Sequence, residues 1–215
     1  MLYIIDTANK EEINNALSLG INGITANPSM YLNNNQNFYN FLNEYSKINL
    51  DFLSGEVMSD TFEEMTEEVN KILEINKDIV IKINFSEEGL KLCRYLNKNG
   101  IKSAMTLIFN IPQAISAINA GADYLFVFIG RNDENGYDGL SIIQAIQTII
   151  NIKNYKTKVI AASIKNLYQL EKLSEIGIDF AAIPYSLYKK SLYHPLTESG
   201  SKKFKEDWVI LSNNI

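Results

Sequence analysis

The pattern of hydrophobic positions divides the chain into two alternating kinds of segment. Longer stretches carry apolar residues every three or four positions, as in 61–75 and 86–100, and these predict amphipathic helices. Between them lie short runs rich in β-branched and aromatic residues, which have the length and composition of buried strands. These runs are 2–6, 23–27, 51–58, 79–85, 101–109, 124–130, 158–164 and 180–184.

Consecutive βα units of this kind predict an α/β fold, a single (β/α)₈ TIM barrel, because right-handed crossovers close such a series on itself. Several helical stretches end in glycine, where a left-handed C-cap is expected: Gly20, Gly100, Gly121 and Gly177. A leucine-rich solenoid is the competing repeat, but its LxxLxL signature is absent. No linker or low-complexity tract interrupts residues 1–215, so we expect one domain.

Composition narrows the function classes. The chain has 215 residues, one cysteine, one histidine and a net charge of −5. An internal disulfide and a His/Cys metal cluster are therefore excluded, and Cys93 and His194 are interpreted as structural. The negative charge disfavours nucleic acid and anionic lipid, and no apolar run is long enough for a spanning helix. We expect a cytoplasmic protein whose substrate is a small molecule, which can be anionic if two or three cations converge on it.

Polar residues at the ends of the predicted strands mark the candidate site, because barrel active sites lie at the C-terminal ends of the strands. Reading each strand with period two and choosing the phase from its polar end gives one inward set. A slip of one residue would turn a strand's members outward. The predicted set is Asp6, Thr25, Asn27, Glu56 with Ser54, Lys82 with Asn84 and Val80, Thr106, and Ser163.

Lys82 is the strongest candidate for chemistry. It lies in IVIKIN, a strand predicted to be covered by helices on one side and by the barrel interior on the other. Desolvation lowers the pKa of an amine, and a neutral lysine is the nucleophile that forms a Schiff base with a carbonyl. One alternative is a structural ion pair with Asp6 or Glu56. The other is that the predicted strand register is wrong and Lys82 lies at the open end of a strand.

Asp6 and Glu56 supply two carboxylates that can do different jobs near one amine, one moving a proton at the bond being cleaved and the other acting through water. Thr106 is predicted to hold that water. For Asp6 the alternative is an N-cap of the first helix, since DTANKEE resembles a capping sequence.

A candidate anion site follows the sixth and seventh strands. Arg131 lies in FIGRNDENGYDG, and Ser163 with Lys165 lies in AASIKN, near the loops where barrels commonly bind phosphate. The alternative is two ordinary surface cations and a hydroxyl, since the chain lacks a glycine-rich phosphate loop.

A series of short motifs also follows the predicted strands in order: IIDTA (4–8), GITANPS (23–29), GEVM (55–58), IVIKINFSEEGL (79–90), TLIFNIPQA (106–114), FIGRNDENGYDG (128–139), AASIK (161–165) and KFKEDW (203–208). In these motifs the chain resembles the small bacterial transaldolases and the related fructose-6-phosphate aldolases over essentially its whole length.

The resemblance implies a class I mechanism with no metal and no cofactor. Lys82 matches the family's Schiff-base lysine, Asp6 its acid/base, and Glu56 with Thr106 the pair that positions a catalytic water. It also implies transfer of a dihydroxyacetone unit between sugar phosphates, as in the pentose phosphate pathway. Thr25 and Asn27 match substrate-contacting positions, and Arg131 with Ser163 matches the phosphate site. Phe126, Phe128 and Lys165 complete the candidate substrate-binding set.

Two positions indicate the transaldolase branch: Glu56, where the aldolases have Gln, and Phe128, where they have Tyr. The chain departs from the transaldolases at Ala104, where they carry Asn, and at Phe126, where they carry Ser. It also departs at Ala26, Asn84 and Ile164, where the family usually carries Thr, Pro and Phe, respectively. A bulky ring at position 126 would remove a hydroxyl-binding group and occupy volume near the nucleophile.

Three hypotheses follow from these residues. The first is a transaldolase-like transferase, the second an aldolase that cleaves fructose 6-phosphate or a related carbonyl donor, and the third a non-catalytic barrel that binds sugar phosphates. The segment 185–215 is longer than one crossover helix needs. Family resemblance implies a homo-oligomeric ring, pentameric or decameric, with Phe204 and Trp208 as candidate contacts.

Overall fold

The computed structural model describes residues 1–213, and its strands form a closed parallel barrel in which neighbours in the chain are neighbours in the sheet. Strand β1 closes the ring by pairing with β8, so that Ile4 lies opposite Ala182. The predicted (β/α)₈ barrel is confirmed. The strands are β1 Leu2–Asp6, β2 Gly23–Thr25, β3 Phe52–Val57, β4 Val80–Asn84, β5 Ser103–Ile108, β6 Tyr124–Phe128, β7 Lys158–Ala162 and β8 Phe180–Ile183.

Helices follow the strands and cover the outside of the barrel. At the ends of α6 and α9, Gly121 and Gly177 adopt the predicted left-handed conformation, with φ of +94° and +80°. The helices are α1 Lys10–Ser18, α2 Pro28–Asn33, α3 Phe38–Tyr45, α4 Phe62–Ile75, α5 Glu87–Lys98, α6 Ile111–Ala120, α7 Ile129–Glu134, α8 Gly139–Lys153, α9 Leu167–Ile176, α10 Tyr185–Ser191 and α11 Pro195–Ser212.

Three predicted strands end two residues earlier than the hydrophobic pattern indicated. The strand predicted over 23–27 ends at Thr25, because Asn27 caps α2 and Pro28 occupies its first turn. The strand predicted over 124–130 ends at Phe128, where α7 begins at once. The strand predicted over 158–164 ends at Ala162, and Ser163 has a φ of +59°, which no strand can continue.

The inside of the barrel has an apolar lower part and a polar upper part. The lower part is a buried cluster, separate from the core between strands and helices, that contains Ile4, Phe52, Val80, Ala104, Phe126, Ile160, Ala162 and Ala182. The ring of Phe52 lies 5.2 Å from that of Tyr124 and 6.2 Å from that of Phe126. Side chains two residues further along β3 and β4 begin the polar part, which agrees with the predicted period-two phase.

The C-terminal helix α11 differs from the other long helices because all of its residues that the structure describes are exposed or only partly buried. Phe204 and Trp208 are 75% and 67% exposed, and Leu196, Val209 and Leu211 are exposed as well. Within residues 1–213 no helix combines the length and apolar character that crossing a bilayer requires.

Candidate active site

The C-terminal ends of the strands open into a cavity of about 560 Å³. All of the residues that the sequence singled out as catalytic or substrate-binding line it, although they come from seven different strands or the loops that follow them. They are Asp6, Thr25, Asn27, Glu56, Lys82, Thr106, Phe126, Phe128, Arg131, Ser163 and Lys165. Their common position supports the predicted set, and their individual roles stay predictions.

Lys82 lies at the bottom of this cavity and is only 5% exposed. Strand pairing places Glu56 directly opposite Lys82, and the Lys82 Nζ is 2.9 Å from Glu56 Oε2. The Nζ also donates a hydrogen bond of 2.8 Å to the main-chain oxygen of Ala26, and it lies 5.4 Å from the centre of the Phe126 ring. The side chain therefore forms the ion pair that was one alternative, while its nitrogen still borders the cavity.

The Glu56 carboxylate is buried, with its side chain 8% exposed. Its Oε2 has no hydrogen bond with suitable geometry to the rest of residues 1–213, so the contact with Lys82 is ionic only. Glu56 also lines the cavity. Its carboxylate is therefore able to accept a hydrogen bond from a water or hydroxyl there through the oxygen that does not pair with Lys82.

Asp6 ends β1 on the same wall of the cavity. Burial raises the pKa of its carboxyl to about 6; the nearby Lys82 lowers it and the Glu56 carboxylate raises it further. The alternative role as a helix cap is wrong, because the side chain of Asn9 accepts the hydrogen bonds from the main-chain nitrogens of Glu11 and Glu12. Asp6 is thus not occupied in capping, and its raised pKa lies closer to neutral pH than that of an ordinary aspartate.

Small hydroxyl and amide groups complete the polar wall. The hydroxyls of Thr25 and Ser54 share a buried hydrogen bond of 2.8 Å. Thr106 is buried and lies opposite Asn84 in the β4–β5 pairing. Asn27 has a structural task as well, since its side-chain oxygen accepts from the main-chain nitrogen of Met30 at the start of α2.

The candidate anion site lies at the rim, where the loop after β7 contacts α7. A side chain at Gly130 would place its Cβ 2.0 Å from the main-chain oxygen of Ser163, so only glycine permits this approach. The Gly130 nitrogen donates to that same oxygen at 3.1 Å. The contact brings Arg131 and Ser163 to one edge of the cavity, and the Arg131 guanidinium lies 5.1 Å from the Phe128 ring centre.

The two predicted cations of this site differ in their surroundings. Lys165 is about half exposed, and its Nζ pairs with Glu134 Oε1 at 3.0 Å. Arg131 makes no ion pair with the residues described, 1–213. Of the two, Arg131 is the cation whose charge is not already balanced by a carboxylate.

Several residues of the cavity were not predicted from the sequence. Met30, Met58 and Leu107 line it, and Leu107 has a φ of +58° at an irregularity in the β5–β6 pairing. Nothing in TLIF distinguishes this residue from an ordinary strand position. Nearby, the Tyr31 hydroxyl is buried with no partner among residues 1–213, and burial together with the Glu56 and Asp6 carboxylates raises its pKa.

The residues interpreted as structural have structural contacts. His194 Nδ1 accepts from the main-chain nitrogen of Leu196 and thereby caps α11. Cys93 is buried beside Ser103, and burial raises the pKa of its thiol to about 11. Within the part of the chain that the structure describes, no three His, Cys, Asp or Glu side chains lie together in a way that could hold a metal ion.

Comparison with known proteins identifies the family. The sequence model of the Transaldolase/Fructose-6-phosphate aldolase family matches residues 3–215. The chain belongs to this family. It is 41% identical over 209 residues to a probable transaldolase of Thermoanaerobacter sp. (strain X514), with 97% of each chain covered. Probable transaldolases of Clostridium kluyveri and Desulfitobacterium hafniense (strain DSM 10664 / DCB-2) are 40% and 39% identical, again with 97% of this chain covered. The predicted family and the predicted transaldolase-like enzyme class are thereby confirmed.

Similar solved structures agree on the fold. A chain of a designed cube-shaped protein cage, built by fusing symmetric oligomeric domains, superimposes on 99% of this chain with a TM-score of 0.62 and 12% sequence identity. A structure described as native KDPGal covers 90% with a TM-score of 0.58 and 14% identity. At such low identities the likeness concerns the barrel alone.

Proposed function

We propose that this member of the family transfers a three-carbon dihydroxyacetone unit from a ketose phosphate to an aldose phosphate through an imine on Lys82. One observation carries the proposal: a buried lysine borders the cavity 2.9 Å from a buried glutamate, with a second carboxyl of pKa about 6 on the same wall. Amine, water-binding carboxylate and proton acceptor are the three groups that imine chemistry needs.

The first half-reaction uses Lys82 and Asp6. The Lys82 nitrogen adds to the ketone carbon, the carbonyl oxygen leaves as water, and a protonated imine results. Asp6 then takes the proton from the C4 hydroxyl while the C3–C4 bond breaks. The bonding electrons move into the imine to give an enamine, and the C4 fragment leaves as an aldehyde. A carboxyl with a pKa of about 6 suits this task, because a general base is most effective near the working pH.

The second half-reaction reverses these steps with a different aldehyde. The enamine carbon attacks the carbonyl of the acceptor, and Asp6 returns its proton to the new alkoxide. Water then adds to the imine carbon, and the product ketose leaves Lys82. Glu56 is the residue we assign to orient that water, because its carboxylate lines the cavity beside Lys82.

Phosphate binding is assigned to the rim. Arg131 and Ser163 lie at one edge of the cavity, and Arg131 is the cation there without a carboxylate partner within residues 1–213. Guanidinium and hydroxyl groups bind phosphate oxygens through charge-assisted hydrogen bonds. Lys165 contributes less in this arrangement, because Glu134 already balances its charge.

Borohydride trapping tests the proposal directly. Reduction in the presence of fructose 6-phosphate or dihydroxyacetone is expected to leave a covalent adduct on Lys82, located by peptide mass spectrometry. If neither donor nor any other ketone leaves an adduct there, the chain is not a Schiff-base enzyme and the binding-protein hypothesis replaces it. Product analysis with and without erythrose 4-phosphate then separates the two enzymatic hypotheses, because a transferase needs the acceptor and an aldolase does not.

The exposed apolar residues of α11 support a further proposal, that the protein forms a homo-oligomeric ring in which α11 packs on a neighbouring copy. Phe204, Trp208 and Leu196 line one hollow on this helix together with small residues such as Gly200. A contiguous apolar surface of this kind marks interaction sites in proteins. The cytoplasmic location expected from the sequence stays a prediction.

A further inference from the structure

Tyr31 lies beside the active-site cavity, but the proposed mechanism gives it no task. It belongs to α2, a helix that begins at the cavity, since its cap Asn27 and the residue Met30 both line the opening. Tyr31 is the next residue along the helix and is only 6% exposed, whereas Leu32 is 77% exposed. The Tyr31 side chain therefore lies in the core between strands and helices, next to residues of the cavity wall.

Two aromatic rings fix the direction of the Tyr31 side chain. The ring centres of Phe38 and Phe41 on α3 lie 5.4 and 5.1 Å from that of Tyr31, and both rings meet it edge to face. Such contacts are favourable, and a closely packed core leaves the ring few other positions. The hydroxyl at the end of the ring is thus held in one place by the fold.

This hydroxyl is buried and has no hydrogen-bond partner among residues 1–213. Buried tyrosine hydroxyls usually have a partner, because an unpaired polar group away from water is unfavourable. Glu56 Oε2 is also buried without a hydrogen bond to these residues, since its contact with the Lys82 Nζ is ionic only. A phenol can donate and a carboxylate oxygen can accept, so each of the two groups offers what the other lacks.

The charges of the site reach the Tyr31 hydroxyl. Burial raises the pKa of this hydroxyl, and the carboxylates of Glu56 and Asp6 raise it further, Glu56 more strongly than Asp6. Because the interaction between two charges weakens with distance, a hydroxyl that responds to both carboxylates lies near both. The raised pKa also means that Tyr31 keeps its proton at neutral pH and remains a hydrogen-bond donor.

Granted the proposed function, we infer that Tyr31 is a positioning residue that holds the Glu56 carboxylate, by donating a hydrogen bond that reaches Oε2 through one buried water molecule. Buried waters typically lie between polar groups that are otherwise unpaired, and a bond through water is nearly as favourable in enthalpy as a direct one. Oε2 is then held by Lys82 and Tyr31, and the other oxygen of Glu56 is directed toward the water that attacks the imine.

The role of Tyr31 differs from that of Lys82 during turnover. The Lys82 nitrogen changes its bonding each time an imine forms and is hydrolysed, whereas the Tyr31 hydroxyl takes no part in these steps. Tyr31 therefore keeps the Glu56 carboxylate in place while the amine is occupied by substrate. The steps that depend on this placement are those in which water leaves or enters the imine carbon.

Oxygen exchange isolates these steps. In water enriched in oxygen-18, dihydroxyacetone gains label each time its imine forms and is hydrolysed, because the carbonyl oxygen leaves as water and a solvent oxygen replaces it. The measurement requires no acceptor aldehyde and no cleavage of a carbon–carbon bond. Mass spectrometry counts the label after subtraction of the rate without protein. Tyr31→Phe removes only the hydroxyl, and we expect it to slow exchange about 10-fold, the effect of losing one hydrogen bond to a charged group.

Tyr45→Phe is the matched control. Tyr45 is 2% exposed, and its hydroxyl is likewise buried without a partner among residues 1–213. However, burial and the exposed Glu44 are what raise its pKa to about 12, and neither carboxylate of the site contributes. We expect Tyr45→Phe to exchange oxygen at nearly the parent rate. An equal loss in both variants, or no loss in Tyr31→Phe, overturns the inference and leaves the Schiff-base function in place.

A double variant tests whether Tyr31 acts through Glu56. A hydrogen bond to a neutral amide is about half as strong as one to a carboxylate, so Tyr31→Phe should slow exchange much less in Glu56→Gln than in the parent. Equal slowing in both backgrounds assigns Tyr31 an independent structural role and overturns the inference. If the parent shows neither oxygen exchange above background nor a borohydride adduct on Lys82, the proposed function and this inference fail together.

Discussion

The barrel interior and the C-terminal helix break the ordinary rule of burial in opposite ways. Inside the barrel, Lys82 and Glu56 are charged groups removed from water. On α11, Phe204 and Trp208 are large apolar groups exposed to water. Charged residues are rarely buried unless paired, and large exposed apolar patches usually mark an interface.

The two regions differ in the kind of molecule that would bind to them. The buried pair has its charges balanced within the chain, and both residues line a cavity of about 560 Å³. A small polar molecule is enough to fill that cavity. On α11, Phe204 and Trp208 are exposed in the part of the fold that residues 1–213 form, and only another surface of similar size can cover them.

Removal of the amine has the largest expected effect. Lys82→Met is expected to lower transfer activity by about 10⁴-fold or more, since a covalent nucleophile cannot be replaced by its neighbours. The borohydride adduct should disappear as well. Lys71→Met on α4 is the control, because Lys71 is exposed and far from the cavity in the fold. Retained activity in Lys82→Met would assign the chemistry to another group.

Asp6→Asn is expected to lower kcat by about 10²- to 10⁴-fold, the usual range for loss of a general acid/base. The same variant should be more stable than the parent at neutral pH. The folded pKa of Asp6 is raised, so its contribution to stability is fully present below the unfolded pKa of 3.8 and is lost as the pH rises through about 6. Asparagine resembles the protonated form, and the gain at pH 7.5 should be up to about 3 kcal/mol.

Urea unfolding at several pH values measures this effect. The difference between Asp6→Asn and the parent should be largest above pH 6 and should vanish below about pH 4, in line with the raised pKa. The exposed Asp60→Asn serves as the control and should show no such pH dependence. A difference that grows toward low pH would contradict the assigned direction of the pKa shift.

The exposed helix face is tested by Phe204→Ser combined with Trp208→Ser. If α11 packs on a neighbouring copy, this double variant should weaken assembly by about 100-fold or more, because buried aromatic anchors dominate such contacts. Light scattering over a range of concentrations measures the mass. Ile152→Ser is the matched control, since Ile152 on α8 is 74% exposed but lies outside α11. A parent protein that is monomeric at all concentrations would refute the ring.

Glu56→Gln is expected to have the smallest effect. Glutamine keeps the size of the side chain and is the residue that the related aldolases carry at this position, so free cleavage should rise relative to transfer by a few-fold. The ratio of free dihydroxyacetone to transfer product, measured with a saturating aldose phosphate, reports this change. An unaltered ratio would argue against a water-positioning role for Glu56.

The sequence was informative wherever a short-range rule applied. Alternation with period two placed Lys82 and Glu56 inside, and the polar strand ends chose the correct phase because buried polar residues are rare without a purpose. The sequence also showed that Phe126 differs from the serine that the transaldolases carry at this position. In the structure the centre of its ring lies 5.4 Å from the Lys82 Nζ.

Features that depend on long-range contacts could not be predicted. Glu134 and Lys165 pair although they are 31 positions apart in sequence order, and no local pattern indicates it. The approach of Gly130 to Ser163 and the left-handed conformation of Leu107 depend on how neighbouring strands pair. The start of α7 at Ile129 could not be predicted, because it lies inside the apolar run that ends β6 and periodicity alone does not mark a helix start there.

The hydrogen bond from Lys82 to Ala26 has an evolutionary consequence. Its acceptor is an oxygen of the main chain, which every residue type at position 26 would carry. The Ala26 side chain packs in the core between the sheet and the helices and does not line the cavity, so a substitution at position 26 changes that packing without deleting the oxygen that holds the amine. The orientation of the nucleophile is thus inherited with the backbone itself.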